Sequence, residues 1–140
     1  MARPTSFRLP EDLLALLDDE AGARGTSTTA LVVTLLSEGI KTRRFAGVIY
    51  RDGPTGRRAG LVGGPDIWEI VRSLREASAR GEKRLQEVAE RAGVPIPRIR
   101  LAIDFYGSHP DEIDQRIEAD AREAERIREL IDRRERLLSS

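Results

Sequence analysis

A predicted helix over residues 28–41 constrains the fold more than any other part of the chain. Apolar side chains surround nearly its whole circumference: Ala30, Leu31, Val32, Val33, Leu35, Leu36 and Ile40. A helix that is apolar on all sides must be buried on all sides. Only one short strand and one helix precede it, and they cannot enclose it. We therefore expect a second copy of the chain to cover it, which predicts a homodimer or a larger assembly.

A short strand is predicted at residues 3–9, directly before the first helix. Thr5, Phe7 and Leu9 point to one side, and Pro4, Ser6 and Arg8 point to the other. No second strand pattern follows within hairpin distance, and an isolated strand leaves its backbone N–H and C=O groups unpaired. The partner strand is therefore expected from the second chain, antiparallel to the first.

The two helices that follow have clear predicted ends. The first opens at Pro10 and runs to about Arg24, where Gly25 is a natural stop. Its apolar face holds Leu13, Leu14, Leu17 and Ala21. Ser27 can cap the second helix, which begins at Thr28.

The rest of the chain predicts a hairpin and four helices. The hairpin is formed by "GVIYRD", the turn "DGPTG" and "RRAGLV". Helices are expected from Pro65, from about residue 82 to a stop at Gly93, from about Pro97, and from Pro110 to about residue 138. Ser108 and Asp111 fit a capping box for the last of these. We therefore expect a mainly α fold with segments 1–45, 46–109 and 110–140.

Composition excludes several classes of function. Lysine plus arginine and aspartate plus glutamate both number 24, so nucleic-acid binding would have to depend on local arginines. With no cysteine and one histidine, a zinc site built from those ligands is excluded. "GPTGRRAG" lacks the ending of a phosphate loop, and His109 has no nucleophile motif nearby. We expect no enzyme, no catalytic residue, no metal and no cofactor.

The longest apolar run, "ALVVTLL", is too short to span a bilayer. This predicts a cytoplasmic protein without a membrane partner.

The first 44 residues resemble the ribbon-helix-helix family of bacterial repressors. The segments that carry the resemblance are "TSFRLP", "EDLLALLDDEAGARG" and "TSTTALVVTLLSEGI". The resemblance implies an intertwined dimer whose two-stranded ribbon enters the major groove of operator DNA. Carried over by position, the DNA-binding residues are Arg3 toward phosphates, Ser6 and Arg8 toward bases, and Ser27 and Thr28 around a phosphate. Pro4 departs from the pattern because it cannot make a side-chain hydrogen bond. The alternative is that the ribbon only dimerises the chain and that Arg8 is a solvated charge.

Residues 46–110 are similar to a small domain family of unknown function that accompanies PIN-like ribonuclease toxins in bacterial operons. The matching segments are "VIYRDGPTGRRAGLVGGPDIWEIV" and the helix-turn-helix-like "RLQEVAERAGVPIPRIRLAIDFY". One reading makes Arg98 and Arg100 a second DNA contact. The other, which we favour, is that Ile99, Ala102, Ile103 and Phe105 pack against Leu85, Val88 and Trp68.

The last helix carries a long apolar stripe: Ile113, Ile117, Ala124, Ile127, Ile131 and Leu138. A helix of about 28 residues is about 42 Å long, which exceeds what the small domain before it can cover. The stripe therefore predicts helix-in-groove binding to another protein. In the antitoxins that the chain resembles, a basic side chain approaches the acidic metal site of the toxin, and Arg122, Arg126 and Arg128 are the nearest candidates. The alternative is a solvated helix folded back on its own domain.

Together the resemblances imply an antitoxin of a bacterial type II toxin–antitoxin system. It would bind operator DNA as a dimer, repress its own operon and neutralise a PIN-like toxin protein. The alternative is a homodimeric ribbon-helix-helix repressor without a toxin partner.

Overall fold

A computed structural model describes residues 2–140, which form a mainly helical chain with one small antiparallel hairpin. The elements are α1 (Glu11–Arg24), α2 (Thr28–Thr42), β1 (Val48–Arg51), β2 (Arg58–Leu61), α3 (Ile67–Glu76), α4 (Glu82–Ala92), α5 (Ile96–Ser108) and α6 (Pro110–Ser139). The chain divides into two compact units, one ending at Arg44 and the other spanning Phe45–Ser140. The predicted mainly α class, the hairpin and the long last helix are confirmed.

In the first unit, the predicted ends of both helices are confirmed. Gly25 ends α1 in the left-handed conformation, with φ of 67°, which glycine adopts without strain. The hydroxyl of Ser27 caps α2 by accepting the N–H of Ala30 at 3.1 Å. The Thr28 hydroxyl donates to Asp18 of α1 at 2.7 Å and so ties the start of α2 to its neighbour.

Residues 2–10 have neither helix nor strand, and all of them are exposed. A strand requires a partner strand, and the structure describes one chain alone. The two-chain ribbon therefore stays a prediction.

The core of the second unit lies between the hairpin and helices α3, α4 and α5. The strands pair with Val48 opposite Leu61 and Arg51 opposite Arg58. The largest fully buried side chains are Leu61, Ile67, Ile70, Val88, Ile99 and Phe105. The first part of α6 joins this core through Ile113, which is buried.

The predicted capping box at the start of α6 is wrong. Helix α5 continues through Ser108, so this residue is helical and cannot cap the next helix. The chain turns at His109, with φ of −136° and ψ of 56°, and no side chain caps α6. Pro110 then occupies the first turn, where its missing N–H is of no consequence.

Helix α3 begins at Ile67 and not at the predicted Pro65, because Asp66 turns into the protein. This carboxylate is 3% exposed. Its Oδ1 accepts two hydrogen bonds from Arg51, at 2.8 and 3.0 Å. Its Oδ2 accepts the indole N–H of Trp68 at 3.2 Å and forms an ion pair with the Nε of Arg58. A carboxylate so far removed from water needs such partners.

Gly60 leaves room for this arrangement. A Cβ at Gly60 would collide with Nη2 of Arg51, so a larger residue would require the guanidinium group to shift. The absence of a side chain at Gly60 thus lets Arg51 cross the hairpin and reach Asp66.

A second ionic contact joins α3 to α6. Arg75 donates to Asp114 at 2.6 Å, and the Tyr106 hydroxyl donates to the same carboxylate at 3.0 Å. The hydrogen bond from Arg75 holds the pKa of Asp114 below its ordinary value. This contact fixes the first turns of α6 against the unit.

Replacing the buried carboxylate should destabilise the second unit. Asp66→Asn would leave Arg51 and Arg58 facing each other without the charge between them, at an expected cost of about 3 kcal/mol. Asp104→Asn is the matched control, because Asp104 is exposed and should shift stability by less than about 0.5 kcal/mol. Urea unfolding of both variants measures the difference. Equal stability of the two would contradict the role given to Asp66.

Candidate functional site

The first unit buries little of its apolar surface. Its buried side chains are Leu17, Ala21 and Leu31. An open groove of about 410 Å³ remains, lined by Phe7, Arg8, Leu9, Leu13, Leu17, Val32, Leu35 and Leu36. Around it, Val33 and Ile40 are 63% and 71% exposed. We call the apolar residues of this set the N-terminal apolar face, and exposed apolar surface of this extent is typical of association sites.

The residues predicted to read DNA lie beside this face. Arg3, Ser6 and Arg8 are exposed, and within residues 2–140 their side chains make no hydrogen bond or ion pair. Arg8 also lines the edge of the groove. The structure therefore leaves all three side chains open to solvent and brings Arg8 next to the apolar surface.

The predicted phosphate contact at the start of α2 has a mixed electrostatic setting. The backbone N–H groups of a helix N-terminus attract anions. However, the Ser27 hydroxyl is already used as the cap, and the Thr28 hydroxyl is bound to Asp18. The carboxylate of Asp18 partly offsets the positive end of the helix. Any phosphate here would depend on backbone N–H groups and not on these two hydroxyls.

Helix α5 uses its arginines within its own unit. Arg98 donates to the carbonyl of Val62, and Arg100 forms an ion pair with Glu82. The apolar side of the same helix, Ile99, Ala102 and Phe105, is buried, whereas Ile103 is 38% exposed. The packing role predicted for this helix is confirmed for Ile99, Ala102 and Phe105, whereas Ile103 lies outside the core.

The apolar stripe of α6 divides into two parts. Ile113 is buried and Ile117 is partly buried against the core, so the second unit itself covers them. From residue 121 onward every side chain is exposed, including Ile127 and Ile131. We call residues 121–139 the distal α6 segment, and at 1.5 Å per residue it is about 28 Å long.

The distal α6 segment has a wider apolar face than the sequence analysis identified. Leu130 and Leu137, each 44% or more exposed, extend the stripe of Ile127, Ile131 and Leu138. Leu130 lies three residues after Ile127, so helical spacing alone could have revealed it. The result is a five-residue apolar band on an otherwise charged helix.

The arginines of the distal α6 segment differ in their ion pairs. Arg126 binds Glu123 at 2.6 Å, and its hydrogen bond lowers the pKa of that carboxyl. Arg128 lies 3.6 Å from Glu125. Arg122 is exposed, and the described part of the chain gives it no ion pair. Such exposed pairs contribute little to stability, so all three guanidinium groups can bind carboxylates of another molecule.

A polar groove that sequence analysis missed lies between the hairpin turn and the first turns of α6. It has a volume of about 290 Å³, and its polar lining includes Thr55, Arg57, Arg58, Glu112, Gln115 and Arg116. The chain separation between Thr55 and Arg116 is 61 residues, so no local pattern could have predicted it. We call it the arginine groove.

Comparison with known proteins gives no relative for the chain: no family model, curated protein or solved structure matches it. Among residues 2–140, no helix is long and apolar enough to cross a membrane. The same residues contain no cluster of three or more His, Asp or Glu side chains placed to hold a metal ion.

Proposed function

We propose that the chain is a homodimeric DNA-binding antitoxin of the ribbon-helix-helix kind. In this proposal the first unit binds operator DNA and represses the chain's own operon. The distal α6 segment binds and neutralises a PIN-like ribonuclease toxin. The observation that carries the proposal is the N-terminal apolar face. Helices α1 and α2 and residues 2–10, which we call the arm, leave this face uncovered.

A second copy is the occupant that suits this face. Phe7 and Leu9 alternate with Ser6 and Arg8, so pairing residues 3–9 of two chains would turn both apolar side chains toward α2 of either copy. The same pairing would fill the backbone hydrogen bonds of both arms. Because Ser6 and Arg8 would then share the opposite side of the ribbon, they are the residues to enter the major groove.

The distal α6 segment supports the toxin part of the proposal. It presents Ile127, Leu130 and Ile131 on the part of α6 in which every side chain is exposed. An amphipathic helix of this form binds by laying its apolar side into a groove of another protein. Arg122 lies on the same segment, about one turn before Ile127, and would supply positive charge toward acidic groups of the partner.

The second candidate function is a repressor without a toxin. Arg134 lies within the apolar band and would face its own copy in a parallel pair of helices, so the distal segment is poorly suited to self-association. This favours a protein partner over a purely self-associating helix. The antitoxin therefore stands as the first proposal.

A charge placed on the N-terminal apolar face should prevent dimerisation. Leu36→Asp would bury an unpaired carboxylate in a dimer, at a cost of about 3 kcal/mol or more. Leu16→Asp is the control, because Leu16 is 66% exposed on α1 and lies outside the groove. Sedimentation equilibrium should give a weakened dimer for the first variant only. A parent chain that is monomeric and folded at micromolar concentration would refute the dimer.

Removing the base-reading arginine should reduce sequence discrimination. Arg8→Ala is expected to lose roughly 1–3 kcal/mol of preference for the DNA upstream of the chain's own gene over random duplex. Arg3→Ala should instead weaken binding to both duplexes equally and flatten the salt dependence. Fluorescence anisotropy with the two duplexes separates these effects. Unchanged affinities of the Arg8 variant would exclude the arm as the reading element.

Aspartates placed in the apolar band of the distal α6 segment should disrupt toxin binding and leave the other activities intact. Ile127→Asp combined with Ile131→Asp is expected to weaken the complex about a hundredfold, since burying each isoleucine contributes on the order of 1.5 kcal/mol. Glu129→Ala, on the other side of the helix, is the control. Pull-down of the protein encoded by the neighbouring gene is the measurement, with dimerisation and DNA binding unchanged.

A truncation that removes residues 121–140 tests the same segment, and it ends the chain after Asp120. It keeps Ile113 and Ile117 in the core of the second unit, whereas a cut at residue 110 would remove them. If this shortened chain still neutralises the toxin, the inhibitory surface lies in residues 45–120.

A further inference from the structure

The arginine groove is built from two segments that are far apart in the chain. Arg116, on the second turn of α6, donates through Nη1 to the hydroxyl of Thr55. Its Nη2 lies 3.4 Å from the carbonyl oxygen of the same threonine. These contacts hold the guanidinium group of Arg116 against the hairpin turn, and they leave other N–H donors of its fork available.

Positive charge exceeds negative charge along this groove. Three arginines line it, Arg57, Arg58 and Arg116, against one carboxylate, Glu112. Glu112 accepts a hydrogen bond from the Tyr50 hydroxyl at 2.7 Å. Within residues 2–140, Arg116 forms no ion pair with a carboxylate.

Neighbouring carboxylates do not remove this excess. Asp66 lies beneath the groove and is shared between two arginines, Arg51 and Arg58, so it neutralises only one of them. Exposed Asp52 pairs with Arg57 at 3.1 Å. Counting these groups together, four arginines face three carboxylates, and the unpaired guanidinium is that of Arg116.

The geometry points to a phosphate-binding site in the arginine groove, with Arg116 as its main ligand and with Arg57, Thr55 and Gln115 as further donors. Guanidinium forks match the oxygens of a phosphate group, and a hydroxyl or an amide adds single donors. The volume of about 290 Å³ lies near the lower limit for small-molecule pockets, so it suits a phosphate group more than a large ligand.

A phosphate of this kind could be part of a nucleic-acid backbone or of a free small molecule. The groove would recognise both through the same phosphate group, but the affinity for nucleic acid depends more strongly on salt concentration. The site belongs to the second unit and contains none of the residues assigned to operator reading, so its failure would leave the proposed function standing.

The fluorescence of Trp68 can report whether phosphate is bound in the arginine groove. It is the only tryptophan of the chain, it lines the groove, and its indole N–H is bound to Asp66. Titrating the full chain with inorganic phosphate at constant ionic strength should give a saturable change in its fluorescence. Sodium chloride at matched ionic strength should not.

Arg116→Gln is the variant that tests the site, and Arg136→Gln is its matched control on an exposed turn of the same helix. We expect phosphate affinity to fall about tenfold or more in the first variant, as for the loss of a charge-assisted hydrogen bond, and to stay unchanged in the second. Thermal melting followed by circular dichroism checks that both fold. Should Arg116→Gln unfold, Arg116→Lys keeps the charge but loses the fork, and its affinity should fall as well.

Binding to a random-sequence duplex then distinguishes the two sources. If the groove holds a nucleic-acid phosphate, the slope of log affinity against log salt should decrease by about 0.9 in Arg116→Gln. An unchanged slope together with lost phosphate binding identifies a free phosphorylated ligand. A fluorescence response that follows ionic strength alone, or equal phosphate affinity of the parent and a folded Arg116 variant, would overturn the site.

Discussion

A carboxylate that is almost completely removed from water must be surrounded by cations or hydrogen-bond donors, and in the second unit Asp66 meets this requirement with groups from three separate elements. Arg51 comes from β1, Arg58 from β2 and Trp68 from α3. Removal of any one of these partners would leave charge or hydrogen-bonding capacity unmatched in a place that water reaches poorly. The orientation of the hairpin relative to α3 is therefore fixed by electrostatics as well as by apolar packing, and the arginine groove is formed on the surface above it.

The two units illustrate opposite ways of dealing with apolar surface. The second unit covers its own: the hairpin, three helices and the first turns of α6 enclose a core that includes Phe105 and Ile99. The first unit has too few elements to do so, and α2 leaves Val33, Leu36 and Ile40 exposed. One unit encloses its core within a single chain, whereas the other leaves much of its apolar surface exposed.

Local features of the sequence predicted local features of the structure well. Gly25 and Gly93 end their helices in the left-handed conformation, and Ser27 caps α2 as expected, because each of these depends on a few neighbouring residues. The predicted capping box at Ser108 was wrong because α5 continues through that residue. The burial of Asp66 was not predicted, since nothing near it in the sequence reveals that Arg51 and Arg58 converge on it. The arginine groove was missed for the same reason, because Thr55 and Arg116 meet only in three dimensions.

Helix α6 is a single unbroken helix of which only the first part is held by the core. Starting a helix is the unfavourable step, because several residues must be ordered before the first hydrogen bond forms, whereas each further residue adds one bond. In α6 the contacts of Ile113 and Asp114 with the second unit accomplish that step. The distal segment needs only to propagate, so it can remain helical without any tertiary contact of its own. A protein that binds the distal α6 segment would then contact a helix whose backbone is already ordered. Less of the binding free energy would be spent on ordering that helix.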